Sequence, residues 1–272
     1  MGKEVFLDVV SFWLLENSHW IPVQHRPSNQ ETPLNRKKST MHNHQEAEKQ
    51  GTIGSWVLYK NNQLIAFNKP PGLPVQADKT GDKALLQLAE IFCKSRLYPI
   101  HRLDRPASGV VLFAKTKSAA GSLGEQFGQR EVNKTYLALV KGTPPEPAGT
   151  LRHFIKKNAK NNRAAISDTE IPDGQPAELT YRLLGSVDNY NLLEVGLVTG
   201  RHHQIRAQLA AAGCPIKGDV KYGARRSNPD RSIDLHAWKL SFRHPVSGEM
   251  VTLEADLPPG PIWEACAGFL CS

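Results

Sequence analysis

Cysteine is scarce in this chain. The four, Cys93, Cys214, Cys266 and Cys271, form no CxxC pair. That excludes a disulfide scaffold and a cysteine-based zinc module, and it suits a reducing compartment, so a cytoplasmic location is expected. Long apolar runs are lacking too. The longest near the start, residues 9–15, falls far short of the roughly 20 residues a membrane helix needs. Glu4 and Asp8 precede it and no small-residue cleavage site follows, so neither a signal peptide nor a membrane partner is expected. There is no GxxxxGK[ST], no GxGxxG after a strand, no HExxH and no DxDxDG loop. Nucleoside-triphosphate cleavage, hydride transfer and the familiar metal chemistries thereby lose support. His101-Arg102-Leu103-Asp104 matches a protein-kinase catalytic loop only in four letters, since no glycine-rich loop, DFG or APE accompanies it.

What is present is positive charge, unevenly placed. The 34 Lys and Arg exceed the 26 Asp and Glu by 8. Residues 1–50 hold six bases and six acids, so the whole excess falls on residues 51–272. A basic body attracts polyanions, of which nucleic acid is the commonest. Residues 1–50 are expected to form an N-terminal extension of low order, apart from one short helix over 6–15. The stretch 27–50 is polar and has few residues to offset the entropy of ordering. His42 and His44 there lack further ligands and read as part of a solvated tail.

Residues 51–272 read as one domain. Val57-Leu58-Tyr59 and Leu64-Ile65-Ala66-Phe67 suggest a hairpin, residues 83–97 a helix, 110–114 a buried strand, 118–130 a helix and 134–140 a strand. A strand over 192–198, a helix over 203–212 ending at Gly213, and strands over 232–242 and 249–255 follow. Few helices separate the strands. The expected class is therefore α+β, a mixed and largely antiparallel sheet flanked by helices and loops.

Two constellations carry chemistry. Residues 99–110 hold Asp104 among His101, Arg102 and Arg105, just before the buried strand. An acid held among arginines stays ionised at neutral pH. In extended backbone Arg102 and Asp104 point the same way, and Pro106 and Gly109 are expected to shape the turn. A surface ion-pair cluster would read the same way. The second is Thr199-Gly200-Arg201-His202-His203-Gln204-Ile205-Arg206, where a strand ends in a basic turn that opens a helix. Such a turn offers backbone N–H groups and guanidiniums to an anion. Adjacent histidines are expected to diverge, which argues against a metal and for hydrogen bonding behind the site.

In these residues the chain resembles the RluA-type RNA pseudouridine synthases. The matching segments are Asn68-Lys69-Pro70-Pro71-Gly72-Leu73-Pro74-Val75, residues 101–109, Lys134-Thr135-Tyr136-Leu137-Ala138, residues 200–206 with 215–223, and Leu235-His236-Ala237 with His244-Pro245. They run in order across about residues 55–260, leaving 1–50 outside. Ala107 stands where the family usually has Thr, His202 where Thr or Ser is usual, and Gln208 where His is usual.

The resemblance implies isomerisation of uridine to pseudouridine within RNA. The glycosidic bond breaks, the uracil turns, and it rejoins through carbon five. Nothing is oxidised and no phosphate moves, so neither metal nor cofactor is expected. It implies Asp104 as the catalytic aspartate, an ionised carboxylate acting as nucleophile or base, with Tyr136 stacking on the uracil and Arg206 paired with Asp104. Arg102 would fill the gap left by the flipped base. Arg201 and Lys69 are candidates for phosphate contact. Lys156, Lys157 and Lys160, within a stretch 151–163 that holds no acid, are expected to bind RNA backbone, with Arg225, Arg226 and Arg231 as a second patch. The expected partner is ribosomal or transfer RNA, bound by a monomer. Two other classes stand beside this: a non-catalytic RNA-binding protein of the same fold acting in ribosome assembly, and a metal-dependent nuclease using Asp104 and nearby histidines, which would need more clustered carboxylates.

Overall fold

The computed structural model describes residues 52–78 and 80–270. The expected extension at 1–50, with its helix and its paired histidines, lies outside the described residues. Eleven strands form one sheet: β1 (Val57–Lys60), β2 (Leu64–Lys69), β3 (Tyr98–Pro99), β4 (Ser108–Ala114), β5 (Asn133–Lys141), β6 (Ala148–Asn158), β7 (Arg163–Ser167), β8 (Gln175–Val187), β9 (Tyr190–Leu197), β10 (Leu235–Arg243) and β11 (Met250–Glu254). The helices are α1 (Leu85–Cys93), α2 (Lys117–Gln129), α3 (Gln204–Ala211) and α4 (Pro261–Cys266). The strand order is β1-β2-β4-β10-β5-β9-β8-β6-β7, with β3 on β4 and β11 on β10. Every pairing is antiparallel except β4 with β10, so the class is the α+β arrangement read from the sequence.

Period-two alternation builds a core on each face of the sheet. Ile65 and Phe67 of β2, Val111 and Phe113 of β4, and Tyr136 and Ala138 of β5 pack with Leu85 of α1 and with Ile205 and Leu209 of α3. Their neighbours Leu64, Ala66, Val110 and Leu112 face the other way, onto Ala119 and Leu123 of α2. Leu137 and Leu139 meet Trp263 and Cys266 of α4. The central strands are thus apolar on both sides, which is why they read as continuous runs. Among the described residues no helix is long and apolar enough to cross a membrane.

One local expectation changes. Gly109 does not shape the turn; it lies within β4, beside β10, at φ +114. A Cβ there would meet the Ala237 carbonyl oxygen at 2.2 Å, so only glycine lets the two strands close. The basic stretch 151–163, to which no element was assigned from sequence, forms most of β6, the turn after it and the first residue of β7. With β8 it forms an extension of the sheet that the sequence reading passed over.

Candidate active site

Asp104 sits in the segment between β3 and β4, and the residues around it are there to hold that backbone. Gly72 N–H donates to the Arg105 carbonyl (2.8 Å) and Ala107 N–H to the Asp104 carbonyl (3.1 Å). Arg105 is spent on structure: its Nε donates to the Gly72 carbonyl (2.8 Å), and its guanidinium meets Asp78, Thr80 and Asp82. Lys69 corrects an expectation. It is fully buried, and its Nζ donates to the carbonyls of Pro70 (2.8 Å), Leu73 (2.8 Å) and Arg105 (3.2 Å). Burial pushes its pKa down to about 7, with Asp104 pulling the other way. The three carbonyls match the three donors of an ammonium. This lysine therefore fastens the loops beneath Asp104, and no phosphate can reach it.

Arg206 comes from the first turn of α3 and is 5% exposed. Its Nη1 donates to Asp104 Oδ2 (3.0 Å), as expected. Its fork is given to a different acid: Nε to Asp219 Oδ2 (2.6 Å) and Nη2 to Asp219 Oδ1 (2.8 Å). Burial opposes its charge, but the two carboxylates outweigh burial and push the pKa up. Asp219, 1% exposed, was not singled out from sequence. The signal was its place in the 215–223 segment, thirteen residues beyond Arg206.

A cavity of about 370 Å³ opens over this pair. Asp104, Tyr136, Arg206, Arg102, Arg201 and Lys157 all line it, so six of the nine expected site residues converge. Tyr136 projects from β5 and is 8% exposed; burial, then Asp104, pushes its phenol pKa up, so it stays neutral. Arg201 anchors by Nε to the Pro176 carbonyl (3.0 Å). Its backbone N–H goes to Gln204 Oε1 (2.9 Å), so that donor is not offered to an anion. Besides Lys69, Lys156 and Lys160 stay outside the cavity lining. Lys156 turns to the Pro172 carbonyl (3.0 Å) and Asp173 (2.8 Å), and Lys160 occupies the turn after β6.

The paired histidines do not diverge. His203 takes a left-handed backbone (φ 53), which brings its ring onto that of His202 with centroids 3.8 Å apart. Among the described residues no group of three or more His, Cys, Asp or Glu is arranged to hold a metal ion. Gln208, fully buried, donates to the Leu151 carbonyl (3.0 Å) and ties α3 to β6.

A family model described as RNA pseudouridylate synthase matches residues 63–211. The chain belongs to that family. The chain is accordingly an RNA-modifying isomerase, as its motifs implied. It is 36% identical over 209 residues to ribosomal large subunit pseudouridine synthase C of Rickettsia felis, covering 75% of this chain and 68% of that protein. It is 40% identical over 201 residues to an uncharacterized RNA pseudouridine synthase of Chloroflexus aurantiacus, covering 70% of this chain and 62% of the relative. Human RNA pseudouridylate synthase domain containing 1 superposes with a TM-score of 0.64 at 27% identity, over 77% of this chain and 86% of that one.

Proposed function

We propose that this synthase isomerises a uridine in an unpaired segment of ribosomal RNA, with Asp104 as its catalytic carboxylate. One observation carries the reading. Asp104 is the acid in the cavity wall, and Arg206 holds one of its oxygens while the other has no partner among the described residues. A carboxylate so placed can serve as nucleophile toward the ribose or as a base. Tyr136 offers a neutral aromatic face for the uracil. Arg102, exposed at the rim, is the side chain for the space the flipped base leaves, and extruding that base costs about a few kcal/mol. Arg201 and Lys157 serve the flanking phosphates. The name of the Rickettsia relative favours ribosomal over transfer RNA. The protein works as a monomer in the cytoplasm and draws on no metal or cofactor, because no redox or phosphoryl step occurs.

The test is Asp104→Asn. Its effect on RNA binding should stay within about a few-fold, since affinity comes from phosphate contacts, while pseudouridine formation, read by carbodiimide chemistry, should vanish. Turnover near wild type would remove Asp104 from the chemistry. Pseudouridine maps of RNA from cells with and without the gene identify the target. A site lost from transfer RNA alone would overturn the ribosomal assignment, and no lost site at all would favour a binding role in ribosome assembly.

A further inference from the structure

His203 has no task in that reading, yet it reaches the reactive carboxylate. Its Nε2 lies 3.7 Å from Asp104 Oδ2, the oxygen that Arg206 also holds. On its other side, Nδ1 lies 2.9 Å from the hydroxyl of Tyr222. The residue is 9% exposed, its ring stacked on His202 and edge-on to Tyr222 at 88°. Burial pushes its pKa down to about 3, with Asp104 only partly opposing, so the ring is neutral at pH 7.

A neutral imidazole carries one N–H, and its neighbours decide where. The Tyr222 oxygen already accepts the Ala164 N–H at 2.6 Å. Its own hydrogen has one acceptor among the described residues, His203 Nδ1. A proton on Nδ1 instead would crowd a second N–H onto that oxygen and strand the hydroxyl hydrogen. It would also aim a bare Nε2 lone pair at a carboxylate. Both faults disappear when the proton sits on Nε2 and faces Asp104.

We propose that His203 is a positioning residue for Asp104: fixed by Tyr222 as the Nε2–H tautomer, it backs Oδ2 alongside Arg206 and so commits Oδ1 as the oxygen that meets the nucleoside. The proposal rests on Asp104 being the catalytic carboxylate. At 3.7 Å the contact is electrostatic, and such contacts shorten when substrate closes a site. A neutral donor suits the role. It orients the carboxylate without adding a second full cation beside Arg206, which would make the oxygen a poorer nucleophile or base. The other groups whose charge or dipole bears on Asp104 are Lys69, Tyr136, His202, Lys221 and Tyr222, and substituting His203 leaves each in the chain.

The first test needs neither RNA nor a variant that folds poorly. In the full-length protein with nitrogen-15 in its histidines, the His203 signals, assigned by their loss in His203→Gln, should show a protonated Nε2 and a bare Nδ1 at pH 7. The opposite tautomer, or an imidazolium, overturns the proposal. The second compares His203→Leu with His203→Gln, whose amide N–H reaches nearly where Nε2 stood. His203→Leu should slow single-turnover conversion about tenfold, the effect of losing one modest hydrogen bond to a charged group, with the Kd for RNA changed by less than about threefold. Its acid limb should move to higher pH, because the ionised carboxylate loses a donor. His203→Gln should recover most of the rate and the wild-type limb. Equal losses in both variants with an unmoved limb, or a loss confined to Kd, would overturn the role. Failure of the Asp104 assignment looks different: Asp104→Asn would turn over while the histidine spectrum stayed as expected.

Discussion

Arg206 shows how a single side chain serves two acids with unequal consequences. Its contact with Asp104 is through one nitrogen, and its contact with Asp219 is a two-nitrogen fork in a fully buried position. Arg206→Met therefore does two things. It leaves Asp219 as an unpaired buried charge, for which removal of a partner typically costs about 3–5 kcal/mol. It also takes the cation from Asp104, which favours the protonated acid and should move the acid limb of the rate to higher pH. Arg206→Lys keeps the charge and loses the fork. It should shift the limb less, while still lowering the melting temperature. A Met variant with wild-type melting and an unmoved limb would contradict both contacts. The pairing with Asp104 was legible in the motifs, because both residues fall in matching segments. The stronger pairing with Asp219 was not read, although Asp219 also falls in a matching segment, because the spacing of an arginine on a helix and an acid in a later loop does not report that they meet.

At the scale of elements, β6 separates what the sequence groups together. Lys156 and Lys157 are neighbours in a run of bases, but successive strand residues point to opposite faces. Lys157 lines the cavity, on the side of buried Ile155. Lys156 and Arg152 share the other side, where acids from distant segments, Asp173 and Glu178, meet them. The absence of acids within 151–163 therefore said nothing about pairing. Lys157→Gln should lower the log–log salt slope of RNA binding by about 0.7 units, one contact to a single strand. Lys156→Gln should leave the slope unchanged. Equal slopes for both variants, measured by titration between low and moderate salt, would remove Lys157 from the RNA path. The central strands and α1 to α3 were readable because their apolar runs and helical spacing are strong. β8 was legible and was passed over: Ala177, Leu179 and Tyr181 alternate with Glu178, Thr180 and Arg182, and turn residues flank it, Pro172-Asp173-Gly174 before and Asp188-Asn189 after. The αL backbone at His203, which brings two histidines face to face, leaves no trace in residue identity.

For the whole molecule, three of the described histidines are so deeply buried that they are built in as neutral groups. Burial holds His101 and His236 at about 4 and His203 at about 3, where His101 Nε2 accepts the Leu112 N–H and His236 Nδ1 meets Ser108. Their pKa values in the unfolded chain are near 6.5. Between about pH 6.5 and 4 the unfolded chain thus binds more protons, so stability is full above that window and falls as pH drops through it, by up to about 1.4 kcal/mol per pH unit for each group. The melting temperature should fall steeply from pH 7 to pH 5, and a flat profile would show that these rings take up protons without unfolding. The position of β10 bears on a different property. β4 and β5 lie close in sequence, joined by α2, yet they are kept apart by a strand about a hundred residues further along, which pairs with both. On the ribosome, the first half of the sheet must wait with two open edges until residues 235–243 emerge. Refolding should accordingly be slow, in the range of about milliseconds to seconds expected of non-local sheets, a time that stopped-flow fluorescence of Trp238 and its neighbours would read directly. Until that strand arrives, Asp104 and Tyr136 belong to separate pieces of chain, so the cavity they both line closes late in the protein's own synthesis.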